Sequence, residues 1–270
     1  MCFRIYCSSE TSEPPHLGWL LNSLPDLAEI KKGLSTEKLE TYRQVFSCKS
    51  DHELIAVYMS MQSIMSHFFT VVQLLEVTLR NSIHQSASEQ FEDPEWFKTK
   101  AISDQSKNQV TQAEQQCLDE VGAKYTTNDL VSRLPFGFWV HMLSRDYNNS
   151  RDKDHNLWQF KFNQCFPNAK ASKVSLNTIF QNFGTLNKFR NRLFHHEPAW
   201  KGRSTRNREQ AINNIIKKYK EHLEVIRYLS SSKYQLITAL GFEDRFLAEC
   251  DIANLKKFEN ILLSPETQND

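Results

Sequence analysis

Between Leu186 and Pro198 the chain reads Leu-Asn-Lys-Phe-Arg-Asn-Arg-Leu-Phe-His-His-Glu-Pro. Arg190 stands five residues before His195, with Asn191 next to the arginine. An arginine keeps its charge and grips phosphate oxygens in a fork, whereas a histidine moves protons near neutrality. Together they suit cleavage of a phosphodiester by a neighbouring 2′-hydroxyl. That reaction needs a base, an acid and positive charge on the phosphorane.

On a helix, Leu176, Ile179, Phe183, Leu186, Arg190 and Leu193 fall into one seam. Arg190 thus takes an apolar position and requires a partner, because an unpaired buried charge is strongly destabilising. A neighbouring column holds Phe180, Gly184, Asn187, Asn191 and His195. Gly184 would let a second helix approach, and Asn191 lies one turn before His195, where it can orient the ring. Arg190 and His195 are about 140° apart on an ideal helix, so they converge only if the helix ends or bends near His195. Pro198 favours such an end. Two adjacent imidazoles, His195 and His196, leave open which one faces a phosphate.

A second polar stripe, Gln73, Glu76, Arg80 and His84, crosses an otherwise apolar segment. Glu76 and Arg80 are spaced for an i,i+4 pair. The stripe is either an internal ion pair between core helices, or a support for the site in which Arg80 and Asn81 back the reacting groups or touch RNA. Charge is concentrated as well. From Lys188 to Lys220 there are ten basic residues and two acidic ones, in a chain whose formal net charge is +1. Lys188, Lys201, Arg203, Arg206 and Arg208 are candidate RNA contacts, with Trp200 and Tyr219 available for stacking. A solvated basic face is the alternative.

The elements that must position these groups are helical. Only 7 of 270 residues are glycine, and no two form G-x-G, which excludes the phosphate-cradling loops of nucleotide-binding folds. H-E-x-x-H and G-x-S-x-G are absent too, and the six cysteines are scattered without C-x-x-C. Reduced thiols in a cytoplasmic protein are the reading. Residues 1–33, broken by Pro14, Pro15 and Pro25, form an extension, and residues 34–270 one all-α domain of roughly eight helices. Ser35 or Thr36 caps a helix to about Cys48. Leu54, Tyr58, Met61, Met65, Phe68, Val72, Leu75 and Leu79 then predict one unbroken helix over about 51–85, on the order of 50 Å long. Its most apolar stretch, Ile64 to Leu79, carries His67, Gln73 and Glu76 and reads as a core helix rather than a membrane span. Further helices are predicted over about 105–121, 127–145, 153–164, 172–195, 205–230 and 243–262. Pro135 marks a kink or a start within Leu134-Pro135-Phe136-Gly137-Phe138-Trp139.

The Arg190-to-His195 string resembles the signature of the HEPN superfamily. Leu34 to Leu39 with Tyr42, Leu75 to Asn81, and Leu134 to Trp139 resemble, in order, successive blocks of its Abi-like branch, the AbiD/AbiF type of abortive-infection protein. The resemblance covers about residues 34–230. It implies a HEPN-type helical bundle with additional helices, a two-fold homodimer, and metal-independent endoribonuclease activity without a cofactor. It also implies a toxin-like role against phage. On it, Arg190, Asn191 and His195 are the catalytic positions, and Arg192, His196, Glu76, Arg80 and Asn81 are candidates for support. RNA is then the substrate, and a neutralising protein or a structured RNA would restrain the toxin. The alternative from another class is a catalytically idle helical module that uses the same basic face to bind RNA or a partner protein.

Overall fold

Short polar side chains open the helices where they precede apolar runs. Ser35 accepts from the Lys38 N–H, Ser103 from Ser106, Ser175 from Thr178, Asn207 from Gln210 and Ser230 from Lys233. Thr126 and Asp129 satisfy each other's backbone donors in a capping box. The computed structural model describes residues 26–263, apart from 101, 149–150 and 152–155. Most of the expected extension, with Cys2, Cys7, Pro14 and Pro15, lies outside the described residues. The described residues form helices joined by turns and loops, with no strand and one isolated bridge between Asn148 and Asn156.

The chain divides into two compact units. The first comprises residues 1–60 and 252–270. It holds α1 (Leu27–Gly33), α2 (Thr36–Phe46) and the first part of α3 (Asp51–Ser66), and it also receives the last helix of the chain. Tyr42 packs edge-on against Tyr58 at 5.3 Å. Arg43 and Lys31 both bind Asp51, at 2.6 and 2.7 Å, and their hydrogen bonds hold its carboxyl below the usual range.

The second unit, residues 61–251, contains the rest. Its spine is α4 (Phe68–Phe91), followed by α5 (Trp96–Thr99), α6 (Asp104–Val121), α7 (Thr127–Arg133) and α8 (Phe136–His141). After these come α9 (Trp158–Cys165), α10 (Leu176–Phe194), α11 (Arg208–Leu229), α12 (Ser231–Ala239) and α13 (Phe242–Glu249). The chain closes with α14 (Ile252–Leu263). Helix α4 packs on α5, α8, α9 and α11, while α10 packs on α8 and α11.

Several predicted boundaries change. The helix expected to run unbroken from 51 is interrupted at His67, whose N–H returns to the Ile64 carbonyl, and then continues to Phe91. The helix expected over 127–145 is two, because Pro135 cannot donate to the preceding turn and Phe136 starts afresh. The segment expected over 243–262 is also two helices, parted at Cys250 and Asp251, while α5 and α12 were not anticipated. The α3–α4 run is long and apolar enough to cross a membrane, and just over half of its most apolar window is buried by packing. Such burial is ordinary for a core helix.

Phe68 opens α4 and is fully buried. Around it lie Phe189 of α10 at 4.7 Å, Tyr219 and His222 of α11 at 5.2 and 5.5 Å, and Phe246 of α13 at 5.7 Å. His222 is buried with its Nδ1 against the Lys218 carbonyl, and desolvation holds its pKa down at about 4, so it is neutral core material. Cys117, Cys165 and Cys250 are buried free thiols, and Cys48 is buried as well. Burial pushes Cys165 up and Cys250 to about 12, which makes thiolate chemistry at these two unfavourable. Replacing Phe68 with Ala removes the ring that four elements share. We expect a loss of about 3–5 kcal/mol in stability, read by denaturant unfolding.

Candidate active site

Helix α10 places the arginine and histidine. Its buried face is Ile179, Phe183, Leu186 and Phe189. Phe189 rather than Arg190 continues the core, and Arg190 sits half-buried at its edge. The partner that its position requires comes from α4: Arg190 Nε donates to Glu76 Oε1 at 2.8 Å. Its Nη1 donates to Asn191 Oδ1 at 3.3 Å, and the guanidinium lies 4.8 Å over the Phe194 ring. Three groups therefore fix its plane, while Nη2 makes no hydrogen bond among the described residues. The Phe194 contact follows from i,i+4 spacing and was legible in the sequence, although it was not drawn from it.

The expected Glu76–Arg80 pair is corrected. Glu76 reaches across to Arg190, a shorter route to a charge at the core edge, and Arg80 Nε donates instead to Asn81 Oδ1 at 3.2 Å. His84 leaves the stripe altogether. Its Nδ1 accepts from Trp96 Nε1 at 3.3 Å, and burial lowers its pKa. It therefore packs against Trp96 and Phe97. Gln73, Glu76 and Arg80 remain together along a cleft of 110 Å³, facing Ser132, Leu134, Phe136 and Trp139 of the α7–α8 region.

The helix does end at His195, and the reason is local. His195 closes α10, with its N–H on the Asn191 carbonyl at 2.9 Å. The His196 N–H returns to Leu193 and the Glu197 N–H to Arg192, a Schellman pair of bonds. His196 occupies the left-handed position of that motif at φ 56°, where glycine is usual. Both imidazoles are exposed, and neither hydrogen-bonds to the Arg190 cluster among the described residues. Arg192 holds the following loop. Its Nη2 and Nη1 donate to the Pro198 and Lys201 carbonyls at 2.7 and 3.0 Å, and its Nε to Glu197 at 3.3 Å. With its donors committed there, it braces the loop rather than facing Arg190.

Among the described residues nothing lies within 4 Å of a Cβ built on Gly184. A Cβ built on Gly137 of α8 would make an ordinary contact with α10, 3.7 Å from Asn187 Nδ2.

The basic segment follows on an ordered loop. Asn214 Nδ2 donates to Thr205 Oγ1 at 2.8 Å and to the Trp200 carbonyl at 3.3 Å, and Gly202 N–H donates to Thr205 Oγ1 at 2.8 Å. Lys188, Arg203 and Arg206 are exposed, and Lys201 and Arg208 half-exposed. Trp200 and Tyr219, expected to stack on bases, are buried. Tyr219 instead stacks on Phe246 at 4.0 Å, because it lies on the face of α11 turned to α4. Lys217 and Lys218, part of the basic run but not among the expected RNA contacts, join Lys188, Arg192 and Lys201 around a groove of 300 Å³. On an ideal helix Lys188 and Arg192 point about 160° from Arg190. The groove therefore lies behind α10 rather than around its arginine. It meets, through Thr185 and Lys217, a larger groove of 590 Å³ between α10 and α11. Volume alone does not decide the site, since the chemistry-bearing residues stand elsewhere.

Comparison with family models, curated proteins and solved structures finds no match to this chain. The left-handed His196 gives a direct test of the local geometry. His196→Gly relieves its backbone and is expected to raise stability by about 1 kcal/mol, or about 2–4 °C in Tm for a chain of this size, measured by calorimetry.

Proposed function

We propose that the chain is a metal-independent endoribonuclease of the HEPN type, folded as a HEPN bundle and acting as a homodimer in the cytoplasm. In this reading it is a toxin-type protein of abortive-infection defence against phage. The observation that carries the reading is the Arg190 guanidinium. Glu76, Asn191 and Phe194 brace it at the end of the helix that His195 closes. A fixed cation with a free edge is what a phosphorane requires, and a preset one costs no reorganisation in the transition state. His195 stands apart from Arg190 within one chain, so a second copy of α10 supplies the complementary groups. The open side of Gly184 lets that copy approach.

The 2′-oxygen forms a bond to phosphorus while the bond to the 5′-oxygen breaks. One imidazole takes the 2′-proton and the other gives a proton to the departing 5′-oxygen. The products are a 2′,3′-cyclic phosphate and a 5′-hydroxyl. Arg190 stabilises the charge that develops between those events. A neutralising protein or a structured RNA restrains the enzyme until infection.

One observation favours a second reading. The basic groove faces away from Arg190, as suits a helical module that holds RNA or a partner without cutting it. Cleavage separates the two. The nuclease is expected to cut labelled RNA in EDTA, to leave a 2′,3′-cyclic phosphate and to fail on a 2′-deoxy cut site. Arg190→Ala and His195→Ala each lose about 10² or more in rate. Full activity in His195→Ala overturns the mechanism, and a larger loss in His196→Ala moves the role to that ring.

Binding has its own measure. If Lys201, Arg203, Arg206 and Arg208 each contact a phosphate, replacing all four with Gln flattens the log–log salt dependence on single strands by up to about 3, at about 0.7 per contact. An unchanged slope makes the run a solvated face. Arg190→Ala changes the slope by one contact at most.

A further inference from the structure

The groove behind α10 carries charge that neither the fold nor the cutting step uses. Five basic residues line it and no acidic one: Lys188 and Arg192 from α10, Lys201 from the loop, and Lys217 and Lys218 from α11. Two of the five are already engaged. Arg192 donates to Glu197 and to two loop carbonyls, and Lys218 pairs with Glu221 at 2.7 Å. The ammonium groups of Lys188, Lys201 and Lys217 meet no carboxylate among the described residues. Like charges gathered in a concavity repel one another, and its low-dielectric walls focus their field. Lys188 and Arg192 also stand four apart on one helix, a spacing at which like charges are destabilising. The concavity belongs to the fold. Arg192 ties the Pro198 and Lys201 carbonyls to α10, and Asn214 ties the Trp200 carbonyl to α11, so the loop wall stands without a ligand.

These features set the ligand's chemistry. A cation is repelled, and an apolar molecule leaves the three ammonium groups unanswered. A planar carboxylate is best held by a guanidinium fork, and the groove's single guanidinium is committed to the loop. Ammonium groups act as point charges and suit the dense charge of phosphate. Three of them on separate segments suit linked phosphates better than one. A volume of 300 Å³ lies at the small end for ligand sites. A nucleic-acid strand repeats its charge beyond such a volume, and along the adjoining groove it would meet Glu221 and Glu224.

We infer that this groove binds a small phosphate-chain ligand, a linked di- or triphosphate that is either inorganic or carried on a nucleoside. Lys188, Lys201 and Lys217 hold its phosphates. The site lies round α10 from Arg190 and does not depend on the nuclease reading.

The probes are inorganic tripolyphosphate, ATP and GTP, titrated by calorimetry into the full-length protein at fixed salt. Tripolyphosphate is expected to bind, and inorganic monophosphate about tenfold or more weakly, for want of the further charged contacts. Lys188→Gln and Lys217→Gln each weaken tripolyphosphate about tenfold, the scale of one hydrogen bond to a charged group. Lys220→Gln removes a charge one turn along α11 but outside this groove, and changes affinity much less. Both groove variants keep or raise the Tm of the free protein, because they relieve repulsion. A fall in Tm would make these lysines structural and overturn their role. Nucleotides that bind no tighter than tripolyphosphate mark the inorganic chain as the ligand, and a tighter ATP or GTP marks a nucleoside-borne one. No binding of any probe overturns the site. So does equal binding of monophosphate, or a loss as large in Lys220→Gln as in the groove variants. A 2′-O-methyl tetranucleotide that outbinds tripolyphosphate and is lost in the groove variants also overturns it, and makes the groove a seat for a strand.

Discussion

Arg190 and Glu76 form the contact on which the candidate site depends. A guanidinium at the edge of an aromatic core is unfavourable unless a carboxylate meets it, and the carboxylate comes from a helix more than a hundred residues earlier. Once that pair is made at 2.8 Å, its neighbours follow. Asn191 is within reach of the second nitrogen, Phe194 one turn on stacks beneath the plane, and the C-terminal turn of α10 is set beside α4. The same residue also lines the small cleft between α4 and the α7–α8 region. Phe68 and Phe189, meeting at 4.7 Å between the same two helices, keep the pair in register from the apolar side.

The end of α10 shows how backbone geometry assigns roles to neighbouring residues of identical type. His195 and His196 are the same side chain on adjacent positions, yet one closes the helix and the other takes the left-handed turn. Their environments differ because the Schellman bonds need a residue at positive φ, and histidine accepts that conformation more readily than bulky or β-branched residues do. Arg192 then ties the loop back through two carbonyls, which orders the basic segment beyond it.

Much of the architecture was legible in the residues. The Ser35/Thr36 cap placed the start of α2, the starts of α6, α10 and α11 fall within a few residues of those read from the sequence, and the 3–4 spacing exposed the buried face of α4 and most of that of α10. The need of Arg190 for a partner could be deduced, but the partner's identity could not. Glu76 satisfies an i,i+4 rule with Arg80 equally well, and only the approach of α10 to α4 at Glu76 makes the long-range choice. Trp200 and Tyr219 went the other way for the same reason. In a basic run they look like stacking platforms, whereas the packed core claims them because each buries a large ring.

The sequence by itself determined the helical character, the scarcity of glycine loops, the helix stop near Pro198 and the residue types that suit phosphodiester chemistry. These are local properties, fixed by propensity, caps and spacing within a few turns. Tertiary structure alone decided that Glu76 pairs with Arg190, that His84 turns to Trp96, and that Lys188 and Lys217 share a groove away from the arginine. It also left the indole of Trp139 buried without a partner. Such choices are made between groups far apart in the chain. Which one wins depends on which helix faces pack together, and the strongest constraint there is the burial of large aromatic rings rather than the pairing of charges.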